Sequence, residues 1–343
     1  MMQPFTYKAL PTRVIFGRGK REALRFEADA LGLNRPLVVT GKQQSAQGKE
    51  LAVKNGWPHW DGARMHTPAD VTEMALAVYK NEGCDGAIAV GGGSSIGLGK
   101  AIAFRTDCPQ LCLPTTYAGS EMTNILGETA AGAKTTKRDA KIQPETVIYD
   151  ADLVGSLPAA MAATSGMNAI AHAVEGLYAV DGNPIISLMA EEGIAALASA
   201  LPVGDTEKAI YGAWLCGTVL GSVSMALHHK LCHVLGGTFN LPHAETHTVV
   251  LPHATAYNTS AAPEAMKRIA KALGAKSAAG GLYDLAVKLN APTSLKQLGM
   301  PEDGLDQAAD MASSAPYPNP RALDRAALRQ LFQNAYDGRR PAD

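Results

Sequence analysis

Short apolar runs alternate with helical ones along the first part of the chain. Residues 35–41 (RPLVVTG), 85–93 (DGAIAVGGG), 110–116 (QLCLPTT) and 145–150 (ETVIYD) each read as a buried strand. Between them, residues 70–83 (DVTEMALAVYKNEG) and 95–105 (SIGLGKAIAFR) read as helices. Short apolar strands alternating with helices predict a parallel sheet covered on both faces. After about residue 155 the strand signals stop. Residues 156–179, 184–201 and 207–237 read as three long helices, and 263–274, 280–290 and 325–336 as three more. The expected fold class is therefore α/β followed by all-α. A parallel-sheet domain is expected over residues 1–154 and a helical domain over 155–343. The boundary is placed at DADLVGSLP, where Asp, Gly and Pro cluster. No internal repeat or low-complexity tract is evident.

Composition narrows the class. Of 343 residues, 46% are hydrophobic and 18% charged, which suits a globular chain and excludes a disordered one. The net charge of −1 favours neither nucleic acid nor a membrane surface. The N-terminal stretch MMQPFTYKALPTRVIFGRG lacks the apolar core of a signal peptide. The apolar stretch AWLCGTVLGSVSMAL is short of the roughly 20 residues a membrane span needs. A soluble, cytoplasmic protein is expected. Five scattered cysteines without a CxxC pair read as reduced core thiols. Trp57 and Trp60 read as packing a surface loop beside His59. KTTKRDAK reads as a solvated hairpin, Glu121 as a structural hydrogen-bonding residue and GRRPAD as a frayed end.

A first candidate site lies in AVGGGSSIGLGKAIA, a strand running into Gly91, Gly92, Gly93 and Ser94 and then a helix. Glycines there let the backbone approach a ligand, and the first helical turn offers free N–H groups to phosphate oxygens. Thr115, Thr116 and Tyr117 follow another strand at its carboxyl end, where open α/β sheets bind ligands. Paired threonines also serve as turn or helix caps. After the 35–41 strand, an acidic residue would hydrogen-bond an adenosine ribose and repel a 2′-phosphate. Gly41 and Lys42 stand there instead, so NADPH is expected to be accepted as well as NADH.

A second candidate site is the span 225–247, which holds five of nine histidines: His228, His229, His233, His243 and His247. Positions i and i+4 share a helix face. Asn168 and His172 have that spacing, as do His229 and His233, and His243 and His247. With the His233 helix ending at Gly236-Gly237, a short return would bring His172, His233 and His243 together. Three imidazoles with an open position can bind zinc. Asn168, the obvious fourth position, is an amide and a poor ligand. Metal ligation, proton donation and, with Lys230, a cationic pocket for an anion all stay open.

At these motifs the sequence resembles the iron-containing alcohol dehydrogenase family. The resemblance runs from TRVIFGRG through AVGGGSSIGLGKAIA, LPTTYAGSEMT, VIYDADLVGSLP and SGMNAIAHAVEG to CHVLGGTFNLPHAETHTVVLPHA. It implies a Rossmann-like N-terminal domain, a helical C-terminal domain, NAD(P) in the cleft and a homodimer. It adds Ser120 and Leu153 to the cofactor residues, sets Tyr117 beside the nicotinamide and makes Lys134 a candidate for the ribose. In metal-dependent members an Asp and three His hold the ion. The His positions match His172, His233 and His243, and the Asp position is Asn168. Gly97 stands where the family has Asp, and the TTYAGSE loop is one residue shorter than usual.

These departures look like the maleylacetate reductase branch, which implies a dicarboxylate substrate and no metal. On this resemblance His172, His233 and His243 line the reacting centre, Lys230 and His229 clamp carboxylates, and Asn168 orients the substrate. A metal-dependent NAD(P) alcohol or polyol dehydrogenase with a His-only site is the alternative.

Overall fold

A computed structural model describes residues 4–130, 133–314 and 316–342. The side chain of Lys134, and with it the expected reach to a ribose, lies outside the described residues. The chain separates into two compact units, Ala9–Leu157 and the residues from Pro158 onward, the described residues before Ala9 being counted with the second.

The N-terminal unit runs β1 (Arg13–Phe16), α1 (Leu24–Ala30), β2 (Leu37–Val39), α2 (Ser45–Asn55), β3 (His59–Trp60), α3 (Ala69–Asn81), β4 (Ala87–Gly91), α4 (Gly93–Thr106), β5 (Gln110–Pro114), β6 (Ile125–Ala130), β7 (Ala133–Arg138), β8 (Thr146–Tyr149) and α5 (Ala151–Val154). Six strands form one parallel sheet in the order β1-β8-β5-β4-β2-β3. Strands β4, β5 and β8 are buried at every position, which explains their unbroken apolar runs. From β2 the chain steps outward to β3, and from β4 it steps the other way to β5. The strand order therefore reverses between β2 and β4, and in open α/β sheets ligands bind at the carboxyl ends beside such a reversal.

Strands β1 and β3 were not singled out from the apolar pattern. Strand β3 is two residues long, and it makes His59 and Trp60 part of the sheet edge rather than a surface loop. KTTKRDAK does belong to a hairpin, in which β7 pairs antiparallel with β6. Glu121 is buried and accepts a 2.8 Å hydrogen bond from Tyr149.

The C-terminal unit is helical: α6 (Ala159–Gly176), α7 (Pro184–Ala200), α8 (Thr206–Ser222), α9 (Leu227–Phe239), α10 (His243–Asn258), α11 (Pro263–Leu273), α12 (Ala278–Lys288), α13 (Gly304–Ser313) and α14 (Arg325–Asp337). Leu231, Leu235, Val250, Leu305, Leu328 and Phe332 close a core among α9, α10, α13 and α14.

The single helix expected over 207–237 is two helices, α8 and α9, bent by 92°. Two carboxylates from distant sequence hold the break open. Asp181 accepts from the Ser224 N–H and hydroxyl, and Glu175 accepts from the N–H groups of Ala226 and His228. These are the donors an uninterrupted helix would keep for itself. Helix α9 also passes through Gly236-Gly237 and stops at Phe239, where Asn240 takes a left-handed cap (φ 53°). A glycine pair lowers helix propensity, yet packing of Val234 and Leu235 into the core carries the helix past it. GRRPAD is not wholly frayed, because Arg340 forms a two-pronged pair with Asp284; Asp343 lies outside the described residues.

One helix among the described residues, Pro184–Val203, is long and apolar enough to cross a membrane. It carries Glu191 paired with Arg268 of α11 and packs between α6 and α8, as a core helix does. All five cysteines are free and four are buried.

Candidate active site

The glycine turn of the N-terminal unit is shaped for close approach. Gly91 has φ +144°, and a Cβ there would meet Ser95 Oγ at 2.4 Å. At Gly92 a Cβ would meet Thr116 Cγ2 at 2.8 Å, whereas at Gly93 it would meet nothing within 4 Å. Helix α4 begins at Gly93 with no side-chain cap, so its first N–H groups have no side-chain acceptor at the cap. The Thr115 and Ser120 hydroxyl oxygens are buried without a hydrogen-bond partner. Ser94 is half-buried at the same turn. Uncapped backbone donors, orphaned hydroxyls and a glycine cradle fit the pyrophosphate of NAD(P). Gly41 adjoins this turn, its N–H donating to Ser95 Oγ at 3.1 Å.

Two other cofactor expectations, Lys42 and Leu153, come out differently. Lys42 does not stand ready for a 2′-phosphate, because its Nζ lies 2.7 Å from Asp61 Oδ1. Leu153 packs into the sheet core with Leu24, Val38 and Ile148. Tyr117 is 2% exposed, in the turn after β5. At Gly97 a Cβ would lie 2.3 Å from Thr67 Oγ1, so Thr67 fills the room an Asp at 97 would need.

In the C-terminal unit, α6, α9 and α10 bring imidazoles together. His172 stacks on His229 with centroids 5.2 Å apart. His229 meets His228 at 5.3 Å and His247 at 5.0 Å, and His243 tilts on His247 at 4.4 Å. His228 Nε2 and His247 Nδ1 share a 2.9 Å hydrogen bond. The ring that faces His172 is thus that of His229, one helical turn before the expected His233. His233 is exposed on α9, and His243 is exposed at the start of α10. Lys230 is half-buried, its Nζ 5.8 Å from the centroid of the Tyr317 ring.

Glu175, which the sequence reading passed over, organises the cluster. It is fully buried on α6, one turn after His172. Its Oε2 accepts from His229 Nδ1 at 2.7 Å and from Ala226 N–H at 2.9 Å, and its Oε1 accepts from His228 N–H at 2.7 Å. One carboxylate thus fixes the start of α9 and the ring of His229. With Nδ1–H given to Glu175, Nε2 is the working nitrogen of His229. The signal was present as His-x-x-Glu, two residues on one helix face.

Burial, then neighbouring imidazoles, holds His172, His228 and His247 well below the usual histidine range. These three rings therefore add no positive charge to the expected cationic pocket, in which Lys230 remains a cation. Burial also pushes the Cys232 thiol up, away from thiolate chemistry.

Asn168 Oδ1, His172 Nδ1 and His229 Nε2 are buried and unpartnered. They supply nitrogen donors and an amide oxygen, but both oxygens of the neighbouring carboxylate, Glu175, are already engaged. A divalent ion would find no anionic ligand here, and the donor set fits a resident metal poorly. A second grouping, His228, Cys232 and His247, has ligating atoms within 4.8 Å of one another. Its two nitrogens sit at hydrogen-bond distance, closer than the roughly 3.3 Å that bonds of about 2.0–2.1 Å to one tetrahedral ion would set.

Comparison with known proteins agrees with this architecture. The chain is 53% identical to a maleylacetate reductase of Burkholderia cepacia, over 99% of this chain and 100% of that one. It superimposes on the crystal structure of maleylacetate reductase from Agrobacterium tumefaciens with a TM-score of 0.96 at 50% identity, covering 99% and 100% of the two chains. An iron-containing alcohol dehydrogenase structure from Corynebacterium glutamicum gives 0.94 at 41%, covering 99% of each. Residues 11–151 match iron-containing alcohol dehydrogenase, and residues 162–336 match the Fe-containing alcohol dehydrogenase family, C-terminal. The chain belongs to the iron-containing alcohol dehydrogenase family.

Proposed function

We propose that this chain reduces maleylacetate to 3-oxoadipate with NAD(P)H, in the breakdown of aromatic compounds. The observation that carries this reading is end-to-end similarity, at about half identity, to several maleylacetate reductases. The chemistry of the imidazole cluster supports it. Maleylacetate carries a carboxylate at each end and an alkene conjugated to a ketone. Bound NAD(P)H supplies the hydride, which adds to the alkene carbon distal to the ketone, and the electrons move onto the ketone oxygen as an enolate. His172 and His229 line that centre, and donors fixed in place before the reaction stabilise developing negative charge. Glu175 positions His229 for this. His243, exposed at the start of α10, protonates the neighbouring carbon.

Lys230 and His233 receive the substrate carboxylates, and Asn168 orients the substrate through its unpartnered amide oxygen. The cofactor lies on Gly91–Ser94, Thr115, Thr116 and Ser120, with Tyr117 near the nicotinamide. No step runs through a metal, because the donor set lacks an anion. We further propose a cytoplasmic homodimer with no nucleic-acid or membrane partner.

The test is maleylacetate-dependent NADH oxidation with identification of 3-oxoadipate. Turnover is expected. No turnover, together with metal-dependent oxidation of a simple alcohol, would transfer the assignment to a metal-dependent alcohol dehydrogenase of the same family.

A further inference from the structure

At position 41 this chain has no acidic side chain to meet an adenosine ribose. A side chain there would fit, because a Cβ on Gly41 would make only ordinary contact with Ala63 O at 3.6 Å. A carboxylate stands close by from the neighbouring strand. Strand β3 pairs parallel with β2, Val39 opposite Trp60, and Asp61 is the next residue. The two strand ends are tied together, since Thr40 N–H donates to Trp60 O and Ala63 N–H to Thr40 O, each at 3.0 Å.

Asp61 is held from two sides. Lys42 Nζ lies 2.7 Å from Oδ1, and the Ser45 hydroxyl donates to Oδ2 at 2.8 Å. Lys42 and then Ser45 hold its carboxyl below the usual range, so it is ionised at neutral pH. The Lys42 side chain is 81% exposed and that of Asp61 31%, so the ammonium is the freer of the two. A carboxylate and an ammonium here cancel, so this pair offers a 2′-phosphate no net positive charge.

We propose that Asp61 is the residue by which this chain prefers NADH over NADPH. It occupies Lys42, a cation that would otherwise be free to meet a 2′-phosphate, and adds a repelling charge of its own. The proposal rests on the nucleotide lying along this sheet edge. It concerns the cofactor alone and is independent of the substrate.

The experiment measures dissociation constants of NADH and NADPH by nicotinamide fluorescence at low ionic strength, where surface charges are least screened. The proteins are the wild type, Asp61→Asn, Lys42→Met and the double variant. Asn keeps the size of Asp and can still accept from Ser45. Asp61→Asn is expected to improve NADPH relative to NADH by about fivefold to tenfold, the scale of partly screened charge interactions. The double variant is expected to lose that gain. A relative change under about twofold in Asp61→Asn, with NADPH binding weakened by Lys42→Met alone, overturns the role of Asp61 while leaving the nucleotide on this edge. Unchanged constants for both cofactors in all three variants overturn the proposal and the placement of the nucleotide together.

Discussion

Each unit buries a polar group deep in its interior, and the two are finished to different degrees. In the N-terminal unit Lys100 is 1% exposed, and its ammonium donates to Ser120 O, Thr123 O, Thr123 Oγ1 and Ile125 O at 2.5–3.0 Å. All its donors are used, and they pin the segment that begins the β6–β7 hairpin. Among the described residues of the C-terminal unit eight buried side-chain atoms have no partner, and five of them belong to the imidazole cluster: Asn168 Oδ1, His172 Nδ1, His228 Nδ1, His229 Nε2 and His247 Nε2. Folded proteins pair their buried polar atoms almost without exception, because each orphan costs free energy. A completed network reads as scaffold, whereas five orphans gathered on three helices fit the substrate site proposed above.

The largest effect should come from the unfinished network, with little change in stability. His243→Ala removes an exposed ring at the edge of the cluster, so folding should be almost unaffected. Loss of a proton donor costs catalysis roughly 10²–10⁴-fold, and kcat with maleylacetate should fall by that much. A fall of less than about threefold would take His243 off the catalytic list.

Lys100→Met tests the finished network and should behave in the opposite way. The methionine stem fills the space but leaves the carbonyl acceptors in a buried setting without donors. A buried carbonyl left without its donor costs about 1–3 kcal/mol. Urea unfolding should show that loss, while kcat at saturating cofactor should fall far less than in His243→Ala. A denaturation midpoint equal to the wild type would mean that water replaces the ammonium, and that the contrast between the two networks is only one of contacts.

The two networks also differed in how far the sequence revealed them. Strands β4, β5 and β8 were readable because a strand buried on both faces must be apolar throughout. The pairing of β3 was not, because two residues carry no period. Histidine spacing disclosed which helices face the site but not the rotation of each ring, so His233 was placed where His229 lies. The rotation of α9 depends on its start, and its start depends on Glu175 and Asp181, respectively 51 and 43 residues away from the backbone groups they hold. No local window contains that information. Asp61 was overlooked for a similar reason, since its partner Lys42 is a neighbour only once β2 and β3 pair.

The smallest effect expected is also the one that bears most directly on the family. Its name promises iron, and the orphaned atoms include possible donors to an ion, the amide oxygen of Asn168 and one nitrogen each of His172 and His229. We propose that Asn168 weighs against an ion on charge. An Asp there would give the site one anionic oxygen, whereas an amide gives a neutral one, and Glu175 is already committed to His229 and the start of α9. Three neutral imidazoles can hold zinc, but a divalent charge buried with no anion beside it lacks compensation. Exhaustive EDTA treatment should therefore change the rate of NADH oxidation with maleylacetate by less than about twofold. Loss of activity to EDTA, restored by iron or zinc, would show that imidazoles alone suffice to keep a working ion. The orphaned atoms would then be ligands, and the contrast with Lys100 would be between scaffold and metal site rather than between scaffold and substrate pocket.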